Sequence, residues 1–533
     1  MKSFVTKSSA GIAALVCAVT LTVAPADAQE LTIAMPASNE PASLDGHVDP
    51  YQSTWLFNSF VADPLVILTP EGDYAPALAT EWSSNEDGTE WTFTLREGVT
   101  FQDGTPFDAE AVVYNLERIL DPATSSKQLA SDIGPFTSVE AVDDLTVKIT
   151  YDSPWVTLLD AIRRTPIFSP AAIEEHGDAF DRHLVGAGAF ILEEWVPNDH
   201  ITFTRWDDYG GWNSIMENPG PVAIETVTVR FIGEPAVLGS LVEFGDADVG
   251  FQIPAQYVED YKDNEDFQFY ALGQSGTGLQ MVFNLRDPKL ADIRVRQAIN
   301  YAVDQEAAND LLYDGVYGAS DGPLNNLHRC FWEGATEMYS TDPEKAAALL
   351  DEAGWRDEDG DGVREAHGVE GVEDGTPLVL RYNTLHHLEI GEVFQAQLRP
   401  IGVGLTVERV PGPVQLDLVN NRTFEIMYLR QRSPDPLILD QVWNSRWDQP
   451  GGWAWTGFVD EELDETVGLL RMLPDIEERC EAAIKAQQII MENALMLPQL
   501  SQPVFVAMAP KVKNFQAGAE GNWFFLHNTT IEE

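Results

Sequence analysis

The chain has 533 residues, of which 44% are hydrophobic and 10% aromatic, so it is long enough for several packed lobes and too apolar for a disordered protein. Its 86 Asp and Glu residues against 32 Lys and Arg residues give a formal net charge of −54, which excludes nucleic acid and anionic membrane surfaces as partners because both require clustered cations. We interpret the excess of acids as adaptation to a saline medium, in which salt screens their mutual repulsion.

The first 28 residues have the pattern of an export signal. Lys2 and Lys7 precede an apolar run at residues 10–23, and Ala26-Asp27-Ala28 supplies the small residues after which a signal peptidase cuts. The run is too short to span a bilayer comfortably, and no later segment has about 18 uncharged apolar residues in succession. The sequence therefore predicts an exported, soluble chain that is cleaved near Ala28.

Alternating apolar residues that follow turns predict half-buried strands along the rest of the chain. These strands are expected at residues 91–95, 145–151, 227–231 and 405–407. Helical spacing with capping signals predicts helices between them. These helices are expected at 235–244 with an end at Gly245, at 295–303 behind a cap at Asp292, and from Pro343 to just before Gly354. The mixture predicts α/β lobes built on mixed sheets.

Five segments resemble one protein family and occur in the order that the family has. They are Trp91–Gly104, Gly186–Phe190, Gly245–Val249, Asp292–Ala298 and Pro434–Pro436. Together they resemble the family 5 extracellular solute-binding proteins, the dipeptide, oligopeptide and nickel type that feed ABC importers. The resemblance extends from about residue 31 to the end of the chain.

The resemblance implies an α/β fold like that of the type II periplasmic binding proteins, with two main lobes of mixed sheets joined by a hinge and an extra inserted lobe. Lobe I would be discontinuous, comprising residues 29–70, 186–283 and 501–533. Lobe II would be the insertion at 71–185, and lobe III would hold 284–500. Gly186 and Gly188 lie at a predicted lobe crossing, where a hinge and an ordinary tight turn explain them equally well.

The resemblance also implies the function. A periplasmic receptor of this family is expected to enclose a small solute between its lobes and to deliver it to the permease subunits of an ABC importer, which work with ATPase subunits. Such a receptor is expected to be a monomer with no catalytic residues, no cofactor and no metal of its own. Peptides or peptide-like compounds form the most populous ligand class of the family.

Arg432 departs from the pattern of the peptide-binding relatives. In those relatives an aspartate three residues before the Asp of the Asp-Pro element holds the ammonium group of the ligand, and here that position is Arg432. A guanidinium repels an ammonium and grips carboxylates, phosphates or hydroxyls. An opine, an oligosaccharide or a metal chelate is therefore an alternative cargo, with Tyr428 and Arg430 as further ligand-binding candidates. A loop shifted by a few residues would instead direct Arg432 to solvent or to a neighbouring acid.

Other polar residues are weaker ligand-binding candidates. Arg381 falls near the position where peptide-binding relatives have an arginine for the ligand carboxylate, although a surface position is favoured. His386 and His387 could contact a metal chelate, but a solvated loop is favoured because no third ligand is identifiable. Asp45 and His47 belong to a segment that resembles the family's Leu-Asp-Pro-His near the cleft, where their role could be purely structural.

Aromatic residues and cysteines add two further predictions. Trp443 and Trp455 could stack on a sugar ring or a ligand side chain, and core packing is the alternative. Cys330 and Cys480 are the cysteines that remain after cleavage, and in an oxidising compartment a disulfide is favoured over two buried thiols.

Residues 357–362 begin like a calcium loop. The twelfth position, which should be a glutamate, is Gly368, so a polar turn is preferred over a bound ion.

Two other functions compete with transport. A secreted hydrolase lacks support because the chain has neither a Gly-x-Ser-x-Gly elbow nor a His-Glu-x-x-His helix. A receptor used for signalling, or as a holding chaperone, remains a third possibility that the genes neighbouring an importer receptor would distinguish.

Overall fold

A computed structural model describes residues 29–49, 52–69, 73–126, 128–217, 219–385, 387–518 and 524–532. The export signal expected at residues 1–28 lies outside these ranges. Within them, no helix combines the length and the hydropathy that a membrane span requires.

The largest sheet has seven strands, which are drawn from residues 30–36, 190–272 and 504–508. From one edge to the other its strands are Gln268–Leu272, Val504–Met508, Val249–Phe251, Glu30–Pro36, Thr226–Ile232, His200–Arg205 and Phe190–Val196. The N-terminal strand Glu30–Pro36 runs parallel to both of its neighbours, and Leu31 and Ile33 on it are fully buried. Such burial is typical of parallel strands in the middle of a sheet.

A second, five-stranded sheet mixes parallel and antiparallel pairs. Its strands are, in order, Gly404–Arg409, Val379–Thr384, Ile426–Leu429, Gln280–Phe283 and Met496–Pro498. The strand Val379–Thr384 pairs in parallel with both Gly404–Arg409 and Ile426–Leu429. The prediction of mixed sheets in an α/β fold is confirmed.

A third sheet is an antiparallel arrangement of four strands. Its strands are, in order, Ala79–Ser84, Glu90–Leu95, Thr146–Thr150 and Ser138–Asp143. Five two-stranded pairs complete the strand inventory of the described residues. They are Val66–Leu68 with Tyr74–Pro76, Gly318–Ala319 with Leu500–Ser501, Trp355–Arg356 with Glu365–Ala366, Val512–Lys513 with Thr530–Ile531, and Gln516–Ala517 with Phe524–Phe525. The four strands expected from the alternation of apolar residues are all confirmed.

Helices pack against the faces of these sheets. Their bounds are Gln52–Val61, Ala109–Leu120, Gln128–Ile133, Leu158–Ile162, Pro170–His176, Pro235–Ser240, Val258–Tyr261, Pro288–Ala291, Ile293–Ala302, Gln305–Tyr313, Ala335–Met338, Pro343–Glu352, Leu388–Leu398, Gly412–Asn421, Ile438–Trp443, Glu461–Gly468 and Ile476–Glu492. Asp292 caps its helix as predicted, because its side chain accepts the N–H of Arg294 at 2.8 Å.

The helix expected at 235–244 is shorter than predicted, since it ends at Ser240. The following residues form turns in which Gly245 donates to the carbonyl of Val242 and Asp246 donates to that of Leu241. Gly245 has φ +74°, so the chain reverses at the glycine as expected, but a tighter set of turns replaces the last helical turn.

Four large apolar clusters accompany the three larger sheets. One lies on the seven-stranded sheet and contains Ile33, Phe57 and Phe203, and it also takes in residues 168–184. A second lies on the four-stranded sheet around Phe93. The other two flank the five-stranded sheet, around Leu380 and around Met427. The exact lobe boundaries stay a prediction.

Two neighbouring segments connect the seven-stranded sheet to the five-stranded sheet. Residues 273–279 join the strands Gln268–Leu272 and Gln280–Phe283, and residues 499–503 join Met496–Pro498 to Val504–Met508. The joined strands are neighbours in both sheets. We call these two segments the crossing segments; they are the covalent links at which the two sheets could change their relative orientation.

Gly186 and Gly188 have a packing role. A Cβ at Gly186 would lie 2.4 Å from the carbonyl oxygen of Val61, and one at Gly188 would lie 2.5 Å from the Val61 carbonyl carbon. These two glycines therefore allow the chain to pass close to the end of the helix Gln52–Val61.

Candidate functional site

The segment 430–432 lies directly against the first crossing segment. It follows the strand Ile426–Leu429, and Arg432 forms an isolated antiparallel bridge with Gly276. Thr277 donates its N–H to the carbonyl of Gln431 at 2.9 Å and accepts the Gln431 N–H on its hydroxyl at 2.8 Å. The backbone that carries the two arginines is thereby fixed to the junction between the two sheets.

Arg430 is held by neutral groups. Its Nη1 donates to Oε1 of Gln502 at 2.7 Å, and its Nη2 donates to the Gln502 carbonyl at 3.3 Å and to Oε1 of Gln274. Arg432 donates from Nε to the same Gln274 oxygen at 2.9 Å. Among the described residues no carboxylate lies within ion-pair distance of Arg430. Burial lowers the pKa of Arg430, with Tyr428 acting in the opposite direction, yet an arginine stays protonated in proteins.

Tyrosine side chains adjoin the surface that is formed by Arg430, Arg432 and the two glutamines. The Tyr317 hydroxyl accepts from Nε2 of Gln502 at 3.0 Å, and the Tyr317 ring stacks on Tyr313 with centroids 4.1 Å apart. Tyr313 donates its hydroxyl to Glu389 at 2.5 Å. Hydrogen bonds from His387 and Tyr313 hold the pKa of Glu389 at about 2, against the opposing effect of burial. We call Tyr317, Tyr428, Arg430, Arg432 and the two glutamines the amide-held wall.

A second pair of arginines, Arg163 and Arg164, directly follows the helix Leu158–Ile162. Arg163 reaches Oδ1 of Asp160 with Nε at 2.8 Å, and Arg164 reaches Oδ2 with Nη2 at 2.7 Å. Burial raises the pKa of Asp160, but the charges of Arg163 and Arg164 outweigh it, so the pKa lies below its usual value. The Arg164 guanidinium also lies 5.2 Å from the ring centroid of Trp55. We call Asp160, Arg163 and Arg164 the carboxylate-held wall.

The carboxylate-held wall faces residues that adjoin the amide-held wall in sequence. Asp435 forms a two-pronged ion pair with Arg479, in which one Nη1–Oδ2 distance is 2.9 Å. Burial raises the pKa of Tyr74, and the negative charges of Asp160 and Asp435 raise it further. Tyr74 is therefore within electrostatic reach of both carboxylates. The ion pair of Asp435 with Arg479, which follows the amide-held wall in sequence, thus lies within electrostatic reach of the carboxylate-held wall.

Asp45 and His47 are engaged within the fold. Arg118 donates to both oxygens of Asp45, at 3.2 and 2.5 Å, and Nε2 of His47 lies 2.9 Å from the carbonyl oxygen of Pro166. Burial lowers the pKa of His47 to about 4. These contacts join the loop after the first strand to the helix Ala109–Leu120, which is the structural role that the sequence left open.

Arg381 lies on the exposed side of its strand. Its side chain is 45% exposed and its Nη2 is 3.8 Å from Glu425, which also accepts the Arg381 backbone N–H. The surface position favoured from the sequence is what the structure has. His386 lies outside the described residues.

Trp443 and Trp455 pack into the apolar cluster around Met427, whereas Tyr428 packs against the cluster around Leu380. The Trp455 indole donates to the carbonyl of Gly452 at 2.9 Å. The structure thus brings Tyr428, Arg430 and Arg432 together and leaves both tryptophans in a core. Cys330 and Cys480 form a disulfide that links the segment before the helix Ala335–Met338 to the helix Ile476–Glu492.

The calcium-like turn has a compact acidic face. One carboxylate oxygen from each of Asp357, Asp359, Asp361 and Glu365 lies within 4.8 Å of the others. Asp357 accepts the N–H groups of Gly360 and Gly362, as in a polar turn. The acid that completes this face, Glu365, is the ninth residue of the turn, whereas a calcium loop requires an acid at the twelfth.

Two kinds of candidate site residue are not among those predicted from the sequence. Asp160, Arg163 and Arg164 could have been noticed, because two adjacent arginines three and four residues after an aspartate are unusual in so acidic a chain. Gln274 and Gln502 gave no signal, since an amide is important here only through the meeting of two segments more than 200 residues apart.

The comparisons with known proteins agree with this architecture. A sequence model of the bacterial extracellular solute-binding proteins, family 5 (Middle), matches residues 73–449, more than half of the chain. The chain is 28% identical over 457 residues to the nickel-binding periplasmic protein of Escherichia coli K12, a match that covers 82% of this chain and 79% of that protein. It is 24% identical over 476 residues to the glutathione-binding protein GsiB of Shigella flexneri serotype 5b, covering 88% and 89%.

A solved structure extends the likeness to the fold. The crystal structure of NikA from Brucella suis in complex with Fe(III)-EDTA has a TM-score of 0.81 and 23% identity, and the match covers 94% of this chain and all of that one. The expected type II periplasmic-binding-protein fold is thereby confirmed.

Proposed function

This chain belongs to the family 5 bacterial extracellular solute-binding proteins, and we propose from that premise that it is an exported receptor for an anionic solute of an ABC importer. The solute would bind between the seven-stranded and five-stranded sheets, which move about the two crossing segments. A closed form that binds the solute more tightly than the open form is sufficient for such a carrier, and no bond of the cargo need change.

The observation that carries the anionic cargo is the set of partners around Arg430. Its guanidinium is bound by the amide and carbonyl oxygens of Gln502 and by the amide of Gln274, which are neutral. A half-buried positive charge that is bonded only by neutral groups is not compensated, so it attracts a carboxylate or phosphate that can replace one of the amide oxygens.

The only described acid of the loop that follows is already neutralised. Asp435 accepts two hydrogen bonds from Arg479, so it offers little to the ammonium group of a peptide. The free amino terminus of a peptide ligand would therefore lie near the positive charge of Arg430, with no uncompensated carboxylate in this loop. We infer that the cargo carries a carboxylate near Arg430 and that its amino group, where it has one, is blocked or lies elsewhere.

Several solute classes satisfy this requirement. A metal chelate with carboxylate arms, an opine and a peptide-like compound with a blocked amino group all present a carboxylate. Among the relatives, one structural neighbour was solved with a chelate of this kind, Fe(III)-EDTA, and another relative is named for nickel binding, whereas other neighbours were solved with peptides. An uncharged sugar cannot form an ion pair with Arg430, so the amide-held wall favours it less than an anion.

Matched ligands test the charge requirement directly. Isothermal titration of the mature protein would compare Ala-Ala, N-acetyl-Ala-Ala and Ala-Ala amide, with Fe(III)-EDTA and glutathione in the same panel. We expect N-acetyl-Ala-Ala to bind more tightly than Ala-Ala amide, because only the former combines a carboxylate with an uncharged amino end. Preference for the amide would contradict an anionic cargo. Recovery of every bound compound unchanged after prolonged incubation would separate a receptor from a hydrolase.

Export, processing and subunit state complete the proposal. We propose that the mature chain starts at Gln29, acts in the periplasm and works as a monomer that meets the permease subunits. Mass spectrometry of the secreted protein and light scattering in solution test these points. A mature chain that retains residues 1–28 would contradict the cleavage.

A further inference from the structure

The side-chain oxygen of Gln274 lies between two guanidinium groups. Oε1 of Gln274 accepts from Nη2 of Arg430 and from Nε of Arg432, the latter at 2.9 Å. An arginine has donors and no acceptor, so these two contacts identify the atom between the guanidiniums as the oxygen of the amide and not its nitrogen. A neutral oxygen thus occupies a position that is flanked by two positive charges, where an anionic oxygen forms stronger hydrogen bonds.

The other end of the same amide is not hydrogen-bonded. Nε2 of Gln274 is buried and has no hydrogen-bond partner among the described residues, and the whole residue is only 3% exposed. A buried donor without an acceptor is costly. The two arginines therefore orient this amide in a way that leaves its own donor unpaired.

Gln502, the second amide on Arg430, is held at both ends. Its Oε1 accepts from Nη1 of Arg430 at 2.7 Å, and its Nε2 donates to the Tyr317 hydroxyl at 3.0 Å. Gln274 has no bond of this second kind to lose. The terminal torsion of a glutamine has a broad range of allowed values, so the Gln274 amide can turn at little cost. Of the two amides, Gln274 is the one that an incoming anion displaces more easily.

The main chain of Gln274 is fixed while its side chain turns. Asn325 donates from Nδ2 to the carbonyl of Gln274 at 2.5 Å, and it donates its N–H to the carbonyl of Gly276 at 2.8 Å. The backbone of the arginine segment is fixed as well, through the bonds between Gln431 and Thr277. Displacement of the Gln274 amide is thereby confined to one side chain.

We propose that Oε1 of Gln274 occupies the position of one carboxylate oxygen of the cargo, and that the cargo displaces this amide from both arginines. The carboxylate oxygen then accepts from Nη2 of Arg430 and Nε of Arg432, and the Gln274 amide turns so that Nε2 donates to the carboxylate. The inference rests on the proposed function and adds the residue that makes it selective. A neutral carbonyl of a ligand would only replace one neutral oxygen by another, so displacement favours a carboxylate over a carboxamide.

Opposite effects of the two glutamines test this inference. Acetate and N-acetyl-Ala-Ala are titrated calorimetrically into the mature unmodified protein, Gln274→Ala and Gln502→Ala. In Gln274→Ala both anions should bind about fivefold more tightly, because no amide has to leave the position between Arg430 and Arg432. In Gln502→Ala both should bind more weakly, since that amide orients Arg430 and is not displaced. An unchanged or lower affinity in Gln274→Ala, at an unchanged urea midpoint, would overturn the inference.

A crystal of the unmodified protein soaked with acetate provides a measurement that needs no variant. An acetate oxygen between Nη2 of Arg430 and Nε of Arg432, with Nε2 of Gln274 donating to the acetate, supports the proposal. A Gln274 oxygen that keeps both bonds at saturating acetate overturns it. If N-acetyl-Ala-Ala binds and Gln274 still keeps both bonds, the displacement is wrong and the anionic cargo stands. If acetate displaces Gln274 and no anion of the ligand panel binds, the proposed cargo is wrong and the displaceable position stands.

Discussion

The two walls each present a pair of arginines, but their partners differ in charge. In the carboxylate-held wall, Asp160 bonds both Arg163 and Arg164, and Asp132 lies 3.4 Å from Arg164 as a second carboxylate, so both positive charges have an acidic partner. In the amide-held wall, Arg430 is bonded by Gln274 and Gln502, which contribute dipoles and no charge. The position of an arginine near a cleft is therefore less informative than the charge of the group that orients it.

This difference separates stability from binding. A buried ion pair is costly to break from one side, because the remaining charge stays desolvated. Removing an arginine that is bonded by amides leaves no unpaired buried anion. Its loss should therefore reduce ligand affinity more than it reduces the stability of the fold. We expect mutations in the two walls to produce opposite profiles, with large changes in unfolding free energy in one and large changes in affinity in the other.

The largest effect should come from Asp160→Asn. The substitution leaves Arg163 and Arg164 without the carboxylate that accepts from both, and we expect the free energy of unfolding to fall by about 3 kcal/mol. Urea denaturation followed by tryptophan fluorescence measures the change. Asp207→Asn is the matched control, because Asp207 pairs with Arg205 at an exposed site and should change stability by less than about 0.5 kcal/mol. A change as small as the control's would show that the carboxylate-held wall is not a structural ion pair.

Arg430→Gln should have the next largest effect, and on a different quantity. It removes the charge but keeps an amide that can bond Gln502, so the urea midpoint should stay unchanged. The affinity for a carboxylate-bearing ligand should fall by about thirtyfold, near 2 kcal/mol. Calorimetric titration with the tightest ligand of the panel measures this, and Arg381→Gln on the exposed face is the control, with no expected effect. A loss of stability without a loss of affinity would reverse the comparison between the walls.

The sequence predicted much of the fold and less of the site. The alternating strand at 91–95 and the Asp292 cap are local features, and both are confirmed. The helix from Pro235 was predicted one turn too long, because the turns that replace its end depend on backbone bonds from residues 245 and 246. Local patterns identify elements well and their ends less precisely.

Arg430 and Tyr428 entered the site prediction because they flank a recognisable motif. Their partners could not, since Gln274 and Gln502 reach Arg430 only after the two crossing segments come together. The tryptophans show the converse limit. The sequence around a tryptophan does not tell whether the ring lies in a core or in a ligand pocket. Only the packing around Trp443 and Trp455 distinguishes the two.

A smaller effect is expected from pH, which should change the difference in stability between the unmodified protein and Asp160→Asn. The pKa of Asp160 is lowered in the folded protein, so its contribution to stability is complete above the unfolded value near 3.8 and is lost as the pH falls through the folded value. The difference in urea midpoint between the unmodified protein and Asp160→Asn should therefore be constant from pH 5 to 7 and shrink below about pH 3.8. Midpoints at pH 6 and pH 3.5 provide the measurement, and a difference that grows on acidification would contradict the lowered pKa.

The smallest effect should come from Gln502→Ala. Gln502 accepts from Nη1 of Arg430 at 2.7 Å and donates to the Tyr317 hydroxyl at 3.0 Å, so it orients the guanidinium without contributing charge. Its removal leaves Arg430 protonated and still bonded to Gln274 and to the main-chain carbonyl of residue 502, but without the bond from Nη1. We expect a fivefold loss of affinity, about 1 kcal/mol, with little change in the urea midpoint. Gln502→Glu is the sharper variant at the same position. It keeps the geometry and adds the carboxylate that the other wall has, so it should convert Arg430 into a compensated ion pair and weaken an anionic ligand as strongly as Arg430→Gln does. If Gln502→Glu bound the anion as well as the unmodified protein, the charge of the orienting group would not determine the role of the arginine.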